Sequence, residues 1–257
     1  MSNLIATRWR QGKRTLSYPE QEPLLPEQFR GLPIVDDSRC IADCRDCVEA
    51  CPTDAIFKAA KVEFDLGRCL FCPDCSAACG AGAVEMSHEF RLATTSREEL
   101  MVESGATMKL ARRMSDELHR VLGRSLKLRQ VSAGGCNACE AEVSVLNTVV
   151  FDLGRFGIEF VASPRHADGL LITGAITRNM QDALAKTYAA VPEPKIVVAV
   201  GACAISGGPF RDGPEILNGA ENLLTVDLFV PGCPPHPLTI LDGLLRLIGK
   251  IQAPAAR

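Results

Sequence analysis

Residues 195–208 read KIVVAVGACAISGG. The unbroken apolar run Ile196 to Val200, closed by Gly201, has the length of a strand buried on both faces and is too short for a helix of roughly ten residues or more. Cys203 follows the strand's end at once, and Gly207 and Gly208 come after it. Outward from this stretch, strand-like runs recur at Leu126 to Val131, Ile158 to Ala162, Gly169 to Thr173 and Val226 to Val230, and the fourth run begins at Lys195. Helices are predicted near 138–154, 177–190, 214–222 and 237–249. This alternation predicts an α/β domain, a flavodoxin-like parallel sheet with right-handed crossovers. Ligands of such sheets bind at the carboxyl ends of the strands. Cys136 and Cys139 follow the first strand, Cys203 the fourth and Cys233 the fifth, so four thiols distant in sequence are expected in one crevice. Gly134, Gly135, Gly201, Gly207, Gly208 and Gly232 flank them, as a backbone passing close to a bulky core requires. No G-x-G-x-x-G or G-x-x-x-x-G-K-[ST] run accompanies them, which removes the phosphate-binding reading.

The other eight of the 12 cysteines form two runs, Cys40-x3-Cys44-x2-Cys47-x3-Cys51-Pro52 and Cys69-x2-Cys72-x2-Cys75-x3-Cys79. The second run has dicluster ferredoxin spacing, in which three close thiolates hold one 4Fe-4S cluster and the fourth ligates the other. The first repeats the plan with one extra residue in its first step. Crosswise ligation assigns Cys40, Cys44, Cys47 and Cys79 to one cluster and Cys51, Cys69, Cys72 and Cys75 to a second. Cys136, Cys139, Cys203 and Cys233 then hold a third. A zinc module fits these runs poorly, because zinc favours paired knuckles with a longer spacer. The pieces Thr53-Asp54-Ala55-Ile56 and Ala81-Gly82-Ala83-Val84 follow the two runs at matching offsets and mark an internal duplication. Residues 36–95 are therefore expected to form a small α+β ferredoxin module.

Composition narrows the remaining choices. Net charge is -3, without the basic excess of a nucleic-acid binder. No apolar stretch approaches the roughly 18 residues of a membrane span, and no apolar signal region opens the chain. The reducing cytoplasm is the expected compartment, where twelve cysteines serve metals rather than six disulfides. Residues 1–35, with Pro19, Pro23, Pro26 and Pro33, are expected to form an extended arm around a partner subunit. The basic residues Arg8, Arg10, Lys13 and Arg14 fit either a solvated tail or contact with anionic lipid. Residues 96–124 are expected to link the halves through an amphipathic helix from about Glu103 to Leu122, and 251–257 form a tail. His88, His119 and His166 lack ligand-like spacing and are expected on the surface or in packing.

Three segments now carry a resemblance: Gly135-Cys136-Asn137-Ala138-Cys139-Glu140, Val200-Gly201-Ala202-Cys203, and Pro231-Gly232-Cys233-Pro234-Pro235. Residues 125–250 resemble the small, cluster-bearing subunit of membrane-bound nickel-iron hydrogenases of the formate hydrogenlyase type, homologous to the B subunit of respiratory complex I. Residues from about 15 to 100, including Asp65-Leu66-Gly67-Arg68-Cys69, resemble the dicluster ferredoxin-like subunit of the same complexes. The resemblance implies a natural fusion of two electron-transfer subunits. It further implies a hydrogenase-like large subunit holding nickel, antiporter-like membrane subunits, a formate dehydrogenase or ferredoxin as donor, and a place on the inner face of the cell membrane.

The two-residue step between Cys136 and Cys139 is the hydrogenase form, since complex I B subunits usually place those ligands side by side. The resemblance makes Glu140 a candidate proton relay if burial raises its pKa, against the alternative of a Glu bonded to backbone or paired with an Arg of the partner. Ser132, Ala138 and His236 stand where the family more often has Asp, Gly and Arg. His236 is either a hydrogen-bond donor to the third cluster or a partner-interface residue. Two other functions compete with the hydrogenase conduit. One is a relay in a complex I-like machine that reduces a quinone or another acceptor without nickel; the other is a redox sensor or cluster carrier working alone.

Overall fold

The protein is described by a computed structural model covering residues 3–123 and 125–251. The expected tail at 251–257 lies outside the described residues apart from Ile251. In chain order the elements are α1 (Leu4–Gln11), β1 (Pro33–Val35), α2 (Asp46–Glu49), β2 (Ile56–Lys58), β3 (Val62–Asp65), α3 (Asp74–Ala78), β4 (Val84–Met86) and β5 (Met101–Glu103). Then follow α4 (Asp116–Leu122), β6 (Leu126–Ser132), α5 (Ala138–Val145), β7 (Ile158–Phe160), β8 (Gly169–Thr173), α6 (Arg178–Ala190), β9 (Ile196–Val200), α7 (Ala202–Ser206), β10 (Leu228–Val230) and α8 (Pro237–Leu247).

Strands β6 to β10 make a five-stranded, all-parallel sheet in the order β10-β9-β8-β6-β7. This is the flavodoxin-like order, with its switch point between β6 and β8. Side-chain alternation divides the core in two. Leu171 and Val198 point to the face covered by Val143 and Leu146 next to α5 and by the leucines of α8. Leu170, Ile172, Val197, Ala199 and Phe229 point to the other face, where they meet Leu184 of α6 and Phe64, Leu66 and Leu100 of the N-terminal half. Every residue of β8, β9 and β10 is buried, the normal condition of a parallel sheet covered on both sides.

The N-terminal half holds two antiparallel sheets, β1-β4 and β2-β3-β5, with the short helices α2 and α3 packed together. It is tied to the edge of the parallel sheet. Thr94 and Phe229 exchange both backbone hydrogen bonds, at 3.0 and 2.9 Å, so residue 94 covers the outer edge of β10. The Ser206 hydroxyl donates to Gly67 O at 2.8 Å across the same junction.

Three expectations change. The helix read from Glu103 to Leu122 shrinks to α4, begun by Ser115, whose hydroxyl accepts from Leu118 N. Upstream, the Ala111 and Met114 N–H groups donate to Ala93 O and Leu247 O, so that stretch spends its donors on tertiary contacts. Helix 138–154 stops at Val145, where the chain turns back so that Leu153 N bonds Leu146 O. Residues 214–219 are not helical, because Arg178 N donates to Glu215 O and Leu217 N to Ile176 O; only Ala220–Asn222 makes a 3-10 turn. The arm wraps its own chain: Leu16 N donates to Val150 O, and Arg155 Nη2 reaches the carbonyls of Leu16 and Tyr18 at 2.8 Å. It opens with the helix α1, whose Leu4, Ile5 and Trp9 are exposed.

Candidate iron-sulfur sites

All twelve cysteines are free thiols. Their surroundings follow from the strand ends. After β6, the loop at Gly134 and Gly135 crosses over the end of β8, and this is possible because β8 is followed by Gly174 at φ +85°: a Cβ there would lie 2.5 Å from Gly135 N. The crossing carries Cys136 and Cys139 toward Cys203, in α7 behind β9, and Cys233, behind β10. Cys139, Cys203 and Cys233 each sense other thiols of this group. Burial pushes Cys139 up to about 12, aided by the charges of Cys203, Glu140, Cys233 and Cys136; Cys203 also rises to about 12, through burial and then Cys233, Cys136 and Glu140. Cys233 is raised by burial, then by Cys136 and by Cys72 of the second cysteine run.

In the N-terminal half the two runs interleave. Burial raises the Cys47 thiol, and the neighbours that raise it further are Cys79, Cys40 and Cys44. Cys69 is pushed up to about 12 by burial, then by Cys75, Cys51 and Cys72 after the Phe71 N–H has offset part of the rise. Cys75, at about 11, is raised by burial, Cys72 and Cys51, and also senses Cys47. The last cysteine of each run therefore sits among the first three of the other.

The two runs also share their hydrogen bonding. Ala55 N donates to Cys51 Sγ and Ala83 N to Cys79 Sγ, each at 3.2 Å and each four residues on. Burial acts to raise Cys79, but N–H groups of Ala83, Val84, Ala81 and Gly82 outweigh it and hold the thiol below its ordinary value.

Three sets of four soft donors, the two N-terminal sets supplied with N–H···S bonds, fit 4Fe-4S clusters in kind and number. Among the described residues no three Cys, His, Asp or Glu side chains close tightly enough for a single metal ion.

Glu140 lies under the third group. Its Oε1 accepts from the Ser132 hydroxyl at 2.6 Å and the Thr173 hydroxyl at 2.7 Å, clasping the ends of β6 and β8. Burial acts to raise its pKa, but these two donors win and the carboxyl lies below its usual range, so the elevated pKa expected from desolvation is not found. His236 accepts from Leu238 N through Nδ1 at 3.2 Å, capping α8, and its ring stands edge-on to Phe29 at 5.4 Å. Burial lowers its pKa.

Sequence reasoning missed Glu142 and Lys58. Glu142 lines a cavity of about 270 Å³ with Arg30, Phe71, Cys233 and His236, between the second and third thiol groups, and burial raises its pKa. Nothing in its sequence context distinguishes it from a solvated helix residue. Lys58 binds the first run: its Nζ donates to Cys40 Sγ at 3.4 Å, Ile41 O at 2.5 Å and Cys44 O at 2.8 Å. Its offset of seven residues after Cys51 was the available signal.

A flavodoxin-like sheet with thiols gathered at its strand ends defines an α/β protein with a candidate metal-cluster site. The chain belongs to the NADH ubiquinone oxidoreductase, 20 Kd subunit family, whose model matches residues 136–247. It is 41% identical over 139 residues to formate hydrogenlyase subunit 7 of Escherichia coli, covering 54% of each chain, so the match spans about half that relative's length. It is 38% identical over 151 residues to the probable membrane-bound hydrogenase subunit mbhJ of Pyrococcus furiosus, covering 59% of this chain and 90% of the relative. The B subunit of the NADH-quinone oxidoreductase of Heliobacterium modesticaldum is 44% identical over 124 residues, covering 48% and 71%. The family match begins at Cys136, after both tandem cysteine runs.

Proposed function

We propose that the chain is the electron conduit of a membrane-associated oxidoreductase complex, relaying electrons through three 4Fe-4S clusters to or from the nickel-iron site of a separate hydrogenase large subunit. When bound, the clusters supply one-electron transfer; making and breaking bonds with hydrogen belongs to the partner. The observation that carries this reading is the serial placement of the thiols. Cys75 of the second group lies within electrostatic reach of Cys47 of the first, and Cys233 of the third within reach of Cys72 of the second. A carrier or sensor working alone has no need of such a line.

In this reading Cys40, Cys44, Cys47 and Cys79 hold the outer cluster, Cys51, Cys69, Cys72 and Cys75 the middle one, and Cys136, Cys139, Cys203 and Cys233 the one facing the large subunit. Residues 36–95 act as a fused dicluster ferredoxin module. The spacing Cys136-x2-Cys139 and the hydrogenase relatives favour nickel in the partner. Antiporter-like subunits lie beneath it, a ferredoxin or formate dehydrogenase feeds it, and the chain sits peripherally on the inner membrane face. No helix among the described residues is long and apolar enough to cross a membrane.

A second reading, a relay for a quinone or another acceptor without nickel, is favoured by the 44% identity to the Heliobacterium protein. The complex isolated from native membranes decides between them. Iron near twelve atoms per chain with nickel and hydrogen evolution from a low-potential donor supports the hydrogenase conduit; the same iron without nickel transfers the wire to the second reading.

A further inference from the structure

Lys58 and Met86 occupy the same place in the duplicated half, seven residues beyond Cys51 and Cys79. Both end short strands, β2 and β4, that follow their cysteine runs at equal offsets. The first site thus carries a cation where the second carries a thioether. The Lys58 ammonium is tied to the loop that contains the extra residue of the first run, through the Ile41 and Cys44 carbonyls, and it touches the Cys40 sulfur. Its charge is felt at Cys47 as well, where it opposes the rise that burial causes.

Asp43 and Glu49 of the first run also lack acidic counterparts in the second, but among the described residues Lys58 is the cationic side chain of this half with a hydrogen bond to a thiol sulfur. Asp46 and Asp74 precede Cys47 and Cys75 by one residue each across the repeat; Asp74 also acts on the Cys72 thiol, a negative group at the second site where the first has the Lys58 cation. Arg45 faces Pro73 across it, but among the described residues no hydrogen bond joins the Arg45 guanidinium to a thiol sulfur, whereas one joins Lys58.

We infer that Lys58 raises the reduction potential of the cluster held by Cys40, Cys44, Cys47 and Cys79 above the value its pseudo-symmetric neighbour would share, making the outer end of the line the better electron store. The inference rests on the cluster assignment proposed above. Lys58 acts on a step in which one electron is exchanged with the neighbouring cluster and no bond forms or breaks. A positive charge and an N–H donor beside the sulfurs favour the more negative, reduced state. Lys58 is thus a positioning and tuning residue. The extra residue in the first run has a use here, since the widened loop presents two carbonyls that hold the ammonium against the sulfur.

The test is a redox titration of the full chain with its clusters, followed by electron paramagnetic resonance, in the wild type and in Lys58→Gln, Lys58→Met, Lys58→Arg and Met86→Lys. One midpoint should move to a more negative potential in Lys58→Gln and Lys58→Met and return toward the wild type in Lys58→Arg, the other two staying in place. Met86→Lys should move a different midpoint upward. Lys58→Gln keeps an N–H donor for the loop carbonyls without the charge, so it decides the matter if Lys58→Met loses iron. Unmoved midpoints at full iron content overturn the inference, as does loss of one cluster in both Lys58→Gln and Lys58→Met, which would make Lys58 a structural pin. Absence of 4Fe-4S signals from the wild type would instead refute the cluster assignment itself.

Discussion

Gly201 stands so close to Cys139 that a Cβ atom on the glycine would lie 2.5 Å from the cysteine's Sγ. At φ +91° it also holds a backbone conformation that side chains rarely adopt. Two constraints meet at the residue that turns β9 into the Cys203 helix. Gly201→Ala is expected to displace Cys139 and empty the third site alone, taking iron from about twelve to about eight atoms per chain. Iron analysis with cluster spectroscopy checks this, and full iron in the variant would refute the close approach.

Tyr18 anchors the arm. Its hydroxyl donates to Asp242 Oδ1 at 2.5 Å, and Arg246 Nε donates to Oδ2 at 2.8 Å, all within the buried face of α8. Tyr18→Phe leaves a buried carboxylate short of a donor and should cost about 1–3 kcal/mol in denaturant unfolding at neutral pH. Burial and then the Asp242 charge raise the phenol's pKa, so the folded state keeps its proton longer than the unfolded chain does. The contribution is therefore complete below pH about 10 and declines above it. Tyr18→Phe should lack that alkaline decline, and the arm before Val35 should be cut by protease sooner.

The iron-free chain should show ordered thiol chemistry. Backbone N–H groups lower Cys79, against its own burial, while burial pushes Cys203 up to about 12. Alkylation followed by mass spectrometry over a pH series should give Cys79 the lower midpoint, because the thiolate is the nucleophile. Comparing midpoints rather than rates separates ionisation from access. A shared midpoint would count against the backbone cradle around Cys79.

Glu140 joins Ser132 to Thr173 and adjoins the third group. If it relays protons in the assembled complex, Glu140→Gln should slow proton-coupled turnover by at least roughly tenfold, the low end for lost acid–base assistance, with unchanged cluster signals. Because the two hydroxyls hold its pKa down in this chain, such a role requires the partner subunit to raise it. Normal turnover would leave Glu140 as the clasp between β6 and β8.

Much of the α/β half was legible residue by residue. Gly169–Thr173 is a strand with the predicted bounds, and α6 and α8 fall within a residue or two of theirs, because each is a single element whose periodicity reports its own burial. The stretch from Glu103 to Met114 misled for the same reason. Its leucine and methionine spacing suits a helix, but its N–H groups are claimed by Ala93 and Leu247, remote in sequence. For the arm, Pro-rich composition predicts extension without saying which surface receives it, and on this chain the receiving surface lies at Val150 and Arg155.

Cysteine spacing by itself marked two tandem runs of four thiols, because the step between ligands is a local property of a loop, whereas the grouping of Cys136, Cys139, Cys203 and Cys233 was read from the order of the strands. The parallel sense of the sheet was likewise implied by alternation of strands and helices along the chain. What only the tertiary structure decided is how the groups meet: Cys72 within electrostatic reach of Cys233, and Lys58 bound to the loop of Cys40 and Cys44. Those contacts depend on the N-terminal half docking against β10 through Thr94, Phe229, Gly67 and Ser206. Docking of this kind is set by complementary buried surfaces, and surface complementarity leaves no periodic mark on a sequence.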